Sequence, residues 1–379
     1  MNQPLYIDIH ALQTLPFSNP NRDSEGAPKT MIFGGRERTR ISSQSWKRQI
    51  RIDIESKLGD PAIRTRRVVR GVAERLQDRH GWSTDDAEAA GRQVARSAGI
   101  KLEKAKDEKE QEVLTTSVLL YLPAAGLDEL TAIAANHKDA IVAAEAKKTP
   151  KGVLPVDAVT DVLKRRSASI NLFGRMLAEL PGANVDGAVQ MAHAFTTHET
   201  TPEFDFFAAV DDVEADLGIP GSGHINTAMF SAGTFYRYAN IDVRGLARNL
   251  GADDSVTDEM VTQFLQAFIR TVPTGKNRPT APATIPDLVH IAVRTDRPVS
   301  MAPAFEKPII GHDGNVTQSI QALERYAGRL STLLTGRHLA WSGHVSVSDD
   351  ELQHMGEDME SIDNLVAKAI SESHTTEPQ

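Results

Sequence analysis

The densest group of side chains suited to binding an anion lies in the stretch FGGRERTRISSQSWKRQIR, from Phe33 to Arg51. A helix is predicted over 43–58, and Lys47, Arg48 and Arg51 fall in its first turns. The positive end of the helix dipole disfavours a cation there by about 0.3–1 kcal/mol each. A phosphate group bound at this helix end would account for the placement, whereas a solvated basic helix is the alternative.

The predicted helix has one apolar side. Trp46, Ile50 and Ile54 recur at every fourth position, as in an amphipathic helix that packs on a core. Lys47 and Arg51 share a different side of the helix. The first backbone N–H groups of the helix would add donors to a bound phosphate. The polar side chains expected to cap the helix or to join that phosphate are Ser42, Ser43 and Gln44.

Aromatic side chains are concentrated in EFDFFAAVDD, from Glu203 to Asp212. Phe204, Phe206 and Phe207 lie between turn-prone segments, so an exposed hairpin is one expectation. Exposed aromatic rings stack on nucleic-acid bases, which is worth about 1–3 kcal/mol per base. The alternative is a small apolar cluster beneath a loop, and the sequence leaves both open.

Enzymatic chemistry has little support in the sequence. The chain has no cysteine, which removes disulfides, thiolate catalysis and cysteine-type metal sites, and it has no nucleotide-binding glycine motif. His193 and His198 are five positions apart, which puts them on opposite faces of a strand and aligns them poorly on a helix. We expect His193 to pack beside Phe195. The acid-base or metal candidates set aside by this argument are His193, His198, Glu199, Asp205, Asp211 and Asp212. No catalytic residue, metal or cofactor is therefore predicted.

Charge is unevenly distributed along the chain. The 379 residues carry a formal charge of -9, and a composition of 40% hydrophobic and 25% charged residues excludes wholesale disorder. Between Asn21 and Arg70, however, 13 Lys or Arg stand against 6 Asp or Glu. From Ser346 onward there are 9 acidic residues and 1 basic residue, so we expect this end to face away from any nucleic acid.

Nothing in the sequence indicates a membrane partner. The N-terminus lacks a basic region followed by an apolar stretch, and no run approaches the roughly 18 apolar residues of a membrane helix. We therefore predict a cytoplasmic protein.

Once insertions are removed, the predicted elements follow a β-α-β-β-α-β order. A half-buried strand is expected at 5–11, a loop then runs to about Arg40, and 61–166 forms an inserted helical subdomain. Further strands are predicted at SINLFGRM (169–176), 189–195, 229–243 and 287–294. Further helices are predicted around Val261 with a Ser255–Asp258 capping box, at 318–333, and after Ser348 with Glu351. The order is the split βαβ of α+β proteins of the ferredoxin-like and RNA-recognition kinds.

Six motifs occur in order between residue 5 and about 335: Asn21-Arg22-Asp23, IFGGRERTRISSQSWKR, DGAVQMAHAFTTHE, FFAAVDD, FSAGTFYRYANI and SMAPAFEKP. Together they closely resemble the CasC family, the backbone subunit of type I-E CRISPR Cascade, although the helical insertion matches only loosely. The resemblance implies an RNA-recognition-like palm, an inserted helical fingers domain and a β-hairpin thumb. The implied boundaries are palm at 1–59, 167–199 and 228–379, fingers at 60–166 and thumb at 200–227.

The resemblance also implies a function. Copies of such a subunit stack along the CRISPR guide RNA, display it for pairing with target DNA, and assemble with other Cascade subunits. The subunit itself is not catalytic and needs no cofactor.

Site residues follow from the same resemblance. Met176 matches an apolar residue that wedges against bases. Phe206, Phe207 and Ala208 match the thumb segment that folds over a flipped nucleotide, and Ile225 matches its return strand. One family member has Trp-Phe-Thr at the first three positions, so this chain keeps the apolar wedge and loses a hydroxyl. The implied guide-backbone contacts are Asn21, Arg22, Lys29, Ser42, Gln44, Lys47, Arg48, Arg51 and Lys307.

Two other functions stay open. Related backbone subunits of type III CRISPR complexes cut target RNA with an Asp in the loop after the first strand, and Asp23 lies in the corresponding loop here. The other is a free single-stranded-RNA-binding protein, which would bind RNA without guide or partners.

Overall fold

The computed structural model describes residues 3–106, 110–209 and 224–375. Its strands are β1 (Tyr6–Ser18), β2 (Thr30–Phe33), β3 (Arg36–Ile41), β4 (Ala62–Thr65), β5 (Leu102–Lys106), β6 (Glu112–Thr116), β7 (Leu120–Pro123), β8 (Val189–Met191), β9 (Ala194–Thr196), β10 (Glu203–Ala209), β11 (His224–Asp242), β12 (Leu288–Arg294), β13 (Leu339–Ser346) and β14 (Glu357–Asp358). Its helices are α1 (Ser43–Leu58), α2 (Val68–His80), α3 (Thr84–Ser97), α4 (Ala125–Ala135), α5 (Lys138–Glu145), α6 (Val156–Lys164), α7 (Ala168–Phe173), α8 (Val243–Leu250), α9 (Asp254–Arg270), α10 (Asn277–Thr280), α11 (Val316–Leu333) and α12 (Ile362–His374). Within these described ranges, no helix has both the length and the apolar character needed to cross a bilayer.

Two compact units make up the chain. We call Met1–Asp53 with Val189–Gln379 the sheet unit and Ile54–Ala188 the helical unit. The helical unit has its own apolar core and contains α2 to α7. It also contains two small two-stranded sheets, β4 with β7 and β5 with β6, so the region predicted to be helical is mixed.

One large sheet organises the sheet unit, with strand order β14-β13-β12-β1-β11-β9-β3-β2. β1 lies between β11 and β12 and is antiparallel to both, and β11 also pairs with β8, β9 and β10. In the β-α-β-β-α-β order, β1 is the first strand, β9 the second, β11 the third and β12 the fourth. Across the sheet these four strands lie side by side in the order fourth, first, third, second. The fold is thus mixed α+β, as the sequence predicts.

β1 is buried on both faces, not on one as the alternation predicts. Ile7 and Ile9 point to one side and Asp8, His10 and Leu12 to the other, and all five are buried. α11 packs over the side that carries Leu12. The pattern within the strand could not reveal this cover, because the covering helix comes about 300 residues later in the chain.

The segment between the first strand and α1 is not the single long loop that was predicted. β1 continues to Ser18, and β2 and β3 form a hairpin before α1. Gly34 and Gly35 make its turn with φ of 60° and 74°, as a two-residue hairpin turn requires. A Cβ on Gly34 would also lie 1.7 Å from the carbonyl oxygen of Glu306, so only glycine fits there. The prediction is wrong because the charged sequence of β3, RERTRI, shows little apolar alternation.

α1, β12 and α11 form where they were predicted, but two helix starts are wrong. Asp253, not Ser255, caps α9 by accepting a hydrogen bond from a backbone N–H three residues on. Ser361 caps α12 in the same way, well after the predicted start at Ser348. Polar residues of the capping type are frequent in both segments, so the motif alone does not single out the true cap.

The segment SINLFGRM was predicted to be a strand and forms most of α7 instead. The hydroxyl of Ser167 accepts a hydrogen bond from the N–H of Ile170 at 3.3 Å and so caps this short helix. A brief apolar run does not distinguish a strand from a buried helical turn, which explains the error. β13 was not predicted and pairs antiparallel with β12.

Candidate nucleic-acid interface

α1 is anchored to the sheet unit by a buried tryptophan. Trp46 is fully buried, and the guanidinium of the equally buried Arg237 lies 3.7 Å from the centre of its ring. Arg237 donates hydrogen bonds to the side chain of Gln13 and to the carbonyl of Phe268, and burial lowers its pKa to about 9. The apolar neighbours of Trp46 are Leu15, Ile41, Ala194 and Phe235. The first turns of α1 are therefore held in place from the buried side.

Two backbone N–H groups at the start of α1 already have protein partners, that of Ser42 just before the helix and that of Ser43, its first residue. Ser42 donates to the side-chain oxygen of Asn21 at 2.8 Å, and Ser43 donates to Nδ1 of His193 at 2.8 Å. The expectation that the start of the helix would offer its N–H groups to a phosphate is therefore wrong for these two. An anion held here would therefore be bound without these two N–H groups.

The predicted cations of α1 line the side of the helix away from the Trp46 contact. Arg48 is exposed, and Lys47 and Arg51 are half-buried. Gln44 is exposed as well, whereas Ser42 is buried. Gln44, Lys47, Arg48 and Arg51 thus lie on one helix that Trp46 anchors, and Ser42 immediately precedes it.

The loop before β2 contributes the other predicted palm contacts. Arg22 is exposed, and the N–H of Lys29 donates to the carbonyl of Asn21 at 3.1 Å. One carboxylate oxygen of Asp23 accepts the N–H groups of Glu25 and Ala27, each at 2.9 Å. Asp23 is thereby part of the turn that shapes this loop.

His193 is the residue that sequence reasoning placed wrongly. It was expected to pack beside Phe195, but it is exposed, while Phe195 is buried against Tyr236 and Phe33. His193 lies in the break between β8 and β9, and its ring is bonded to Ser43. The sequence carried no clear signal of this break, because Val189, Met191, His193 and Phe195 recur at every second position as in one continuous strand.

The aromatic segment forms an antiparallel hairpin arm, in which β10 pairs with the first part of β11. Phe204, Phe206 and Phe207 are 65%, 75% and 44% exposed. The register pairs Ala208 with Ile225 along the backbone. A satellite core is therefore wrong for these rings, which are available on the surface. Residues 210–223, including the predicted candidates Asp211 and Asp212, lie outside the described residues.

Met176 and Lys307 are both exposed. Met176 is 84% exposed and belongs to the helical unit. Lys307 belongs to the sheet unit and follows Glu306, whose carbonyl lies against the β2–β3 turn at Gly34.

The histidine and acid candidates do not form a reactive group in the part of the chain that the structure describes. The Nε2 of His198 accepts the N–H of Thr234 at 3.2 Å, and its Nδ1 lies 2.9 Å from the carbonyl of Glu199. This ring therefore links backbone segments, and burial lowers its pKa. No three His, Asp or Glu side chains of the described ranges are grouped as a metal ion would require.

Comparison with known proteins gives consistent matches over nearly the whole chain. One solved chain, from a "CRISPR RNA-guided surveillance complex, pre-nicking", is 51% identical, with a TM-score of 0.89 over 97% of this chain and 100% of that one. A second, from a "CRISPR RNA-guided surveillance complex", is 46% identical, with a TM-score of 0.80 over 97% of this chain and 99% of that one. No curated protein matches. The family model for CT1975-like protein matches residues 7–368, and the chain belongs to this family.

Proposed function

We propose that this chain is the backbone subunit of a Cascade-type CRISPR complex, whose copies bind side by side along a guide RNA. The observation that carries the proposal is the fixed start of α1, where Lys47, Arg48 and Arg51 are presented on a helix that is anchored by Trp46. The phosphates of a bound guide strand would offset the unfavourable interaction between these cations and the positive end of the helix dipole. The structural similarity to chains of RNA-guided complexes supports the same reading.

In this proposal the sheet unit carries most of the palm, and the hairpin arm is the thumb. The strand order fourth, first, third, second supports an RNA-recognition-like palm. The segment boundaries remain those implied by the resemblance, with fingers at 60–166 and thumb at 200–227. The CasC assignment and type I-E belong to the proposal too.

The proposed action is electrostatic and steric, without chemistry. Side chains of α1 and of the loop before β2 neutralise guide phosphates, which positions the strand without reading its sequence. Phe206 and Phe207 cover a nucleotide that has been turned out of the base stack, and Met176 wedges against bases. The bases in between stay accessible for pairing with target DNA, while neighbouring copies and other Cascade subunits complete the assembly.

The stoichiometry of the native complex tests this function. We expect the chain to be purified with other subunits and with a CRISPR-derived RNA, and the number of copies to rise when the guide is lengthened. Native mass spectrometry with RNA sequencing measures both. A chain that is recovered alone, or with unrelated RNA fragments, would indicate a free single-stranded-RNA-binding protein.

A cleavage assay tests the type III alternative. Asp23 would have to release its contacts with the N–H groups of Glu25 and Ala27 to hold a metal through the same oxygen. We expect no Mg²⁺-dependent cutting of a complementary RNA. Cutting that is lost in Asp23→Ala would replace the non-catalytic proposal.

A further inference from the structure

Two cations lie directly opposite each other beside the start of α1. β2 and β3 pair with Thr30 opposite Thr39, and the N–H of Arg40 donates to the carbonyl of Lys29 at 2.8 Å. This bond extends the register by one residue, so Lys29 and Arg40 face each other across the ladder. Like charges in that position destabilise a sheet unless an anion lies between or above them.

His193 is held next to this pair. Arg40 also pairs with Phe195 on β9, two residues after His193, and the ring of His193 is bonded to the N–H of Ser43. Burial, and then the charges of Arg40 and Lys29, lower the pKa of His193. The pairing of β3 with β9 and the bond to Ser43 place His193 beside Arg40, and Lys29 lies across the ladder from Arg40.

The bond to Ser43 fixes which nitrogen of His193 carries the proton. A backbone N–H can only donate, so Nδ1 accepts and has no proton. The proton of the neutral ring is on Nε2, and the depressed pKa keeps the ring neutral. Since the side chain is exposed, His193 offers a neutral N–H donor beside two cations.

We propose that Lys29, Arg40 and His193 form a subsite for one phosphate group of the guide RNA, separate from the α1 cations. The two cations neutralise the phosphodiester, and the Nε2–H of His193 donates to one of its oxygens. The inference rests on the proposed function and adds two residues, Arg40 and His193, that neither sequence reasoning nor the resemblance had assigned to RNA.

Two substitutions of His193 distinguish a direct contact with the phosphate from a role in positioning α1 through Ser43. His193→Asn keeps an acceptor near Nδ1 for Ser43 and removes the distal donor, whereas His193→Gln keeps a donor near Nε2 and removes that acceptor. With the full chain and a fluorescein-labelled oligouridine, we expect about three- to tenfold weaker binding for His193→Asn and near wild-type binding for His193→Gln. The reverse order would make His193 a positioning residue for α1 and overturn the proposed contact.

The salt dependence of RNA binding tests the two charged residues of the subsite, Lys29 and Arg40. Arg40→Gln and Lys29→Gln should each lower the slope of log affinity against log salt, and the pair together by about 0.7 for one phosphate. Unchanged melting temperatures are the control for folding. If both variants keep the wild-type slope while Lys47→Ala lowers it, this subsite is wrong and the proposed function stands. If oligouridine binding by the wild-type chain does not depend on salt, both the subsite and the proposed phosphate contacts of α1 fail.

The same titration with an oligodeoxythymidine of equal length tests whether the subsite binds DNA instead of RNA. A slope change that is seen with the DNA strand and not with oligouridine would assign the subsite to target DNA and contradict its assignment to the guide.

Discussion

The start of α1 and the β10–β11 hairpin present two opposite kinds of surface within the sheet unit. At α1 the polar side chains lie on a helix that a fully buried tryptophan anchors, and the N–H groups of Ser42 and Ser43 already have partners. On the hairpin, large apolar rings are exposed, with Phe206 at 75%. The α1 surface is held in one arrangement in the isolated chain, whereas the hairpin exposes apolar rings to water.

The difference suggests a division of labour. A fixed electrostatic surface binds without reorganisation, so its contribution should appear as affinity and salt dependence. Exposed rings gain partners only when something covers them, so their contribution should appear on assembly. Substitutions that separate stability from assembly are therefore the sharpest probes of the two regions.

The largest effect is expected for the double substitution of Phe206 and Phe207 by Ala. Both rings are exposed, so the melting temperature of the free subunit should hardly change. Assembly on guide RNA should weaken by about 2–6 kcal/mol if each ring stacks on one base, and by less if the two terms are coupled. Differential scanning fluorimetry and assembly titrations measure the two quantities.

Phe230 is the matched control for that experiment. It lies in the same ladder, opposite Glu203, but is buried, with its ring centre 4.5 Å from that of Phe17. Phe230→Ala should cost about 3–5 kcal/mol of stability. A similar loss of stability from the Phe206/Phe207 pair would mean that the hairpin rings are structural.

The interior of the sheet unit, on the face of β1 that α11 covers, predicts a pH effect. Asp8 accepts hydrogen bonds from Tyr238 at 2.8 Å and from the N–H of Val299 at 3.0 Å, and burial raises its pKa from 3.8 to about 7. The stabilisation from its bound proton is complete below pH 3.8 and is lost as the pH rises through 7. Asp8→Asn has no such proton to lose, so relative to it the wild type should lose on the order of 3–4 kcal/mol between pH 4 and 8.

Urea unfolding of both proteins across this range gives the measurement. His10 and His290 lie in the same cavity with pKa values lowered by burial, but they are present in both proteins and largely cancel in the difference. A difference in unfolding free energy that does not vary with pH would show that Asp8 ionises normally.

The smallest predicted effect concerns the surface of α1. Lys47→Ala and Arg51→Ala should each lower the salt slope of RNA binding by about 0.7, and should weaken all guide sequences alike. Lys368→Ala is the control, because that lysine is paired with Glu372 on the acidic C-terminal helix α12, and the slope should not change. A loss that depends on the guide sequence would argue against a backbone role.

The sequence predicted α1 well because Trp46, Ile50 and Ile54 encode its buried side locally. It failed where the answer depends on distant parts of the chain. The second cover of β1 comes from α11, and the orientation of His193 depends on a bond to Ser43 across 150 positions. The exposure of Phe206 could not be read from the sequence either, because an aromatic run fits both a loop cluster and a bare hairpin.

Mismatch tolerance along the guide tests the central claim most directly, since it requires the fixed surface and the hairpin to act together. If copies of this chain hold the guide through α1 and cover one nucleotide each with the hairpin, target pairing is interrupted at regular intervals. Target-binding assays with single mismatches at every guide position should then show tolerated positions at a constant spacing, with strong losses between them. Tolerance that is uniform along the guide would contradict the account.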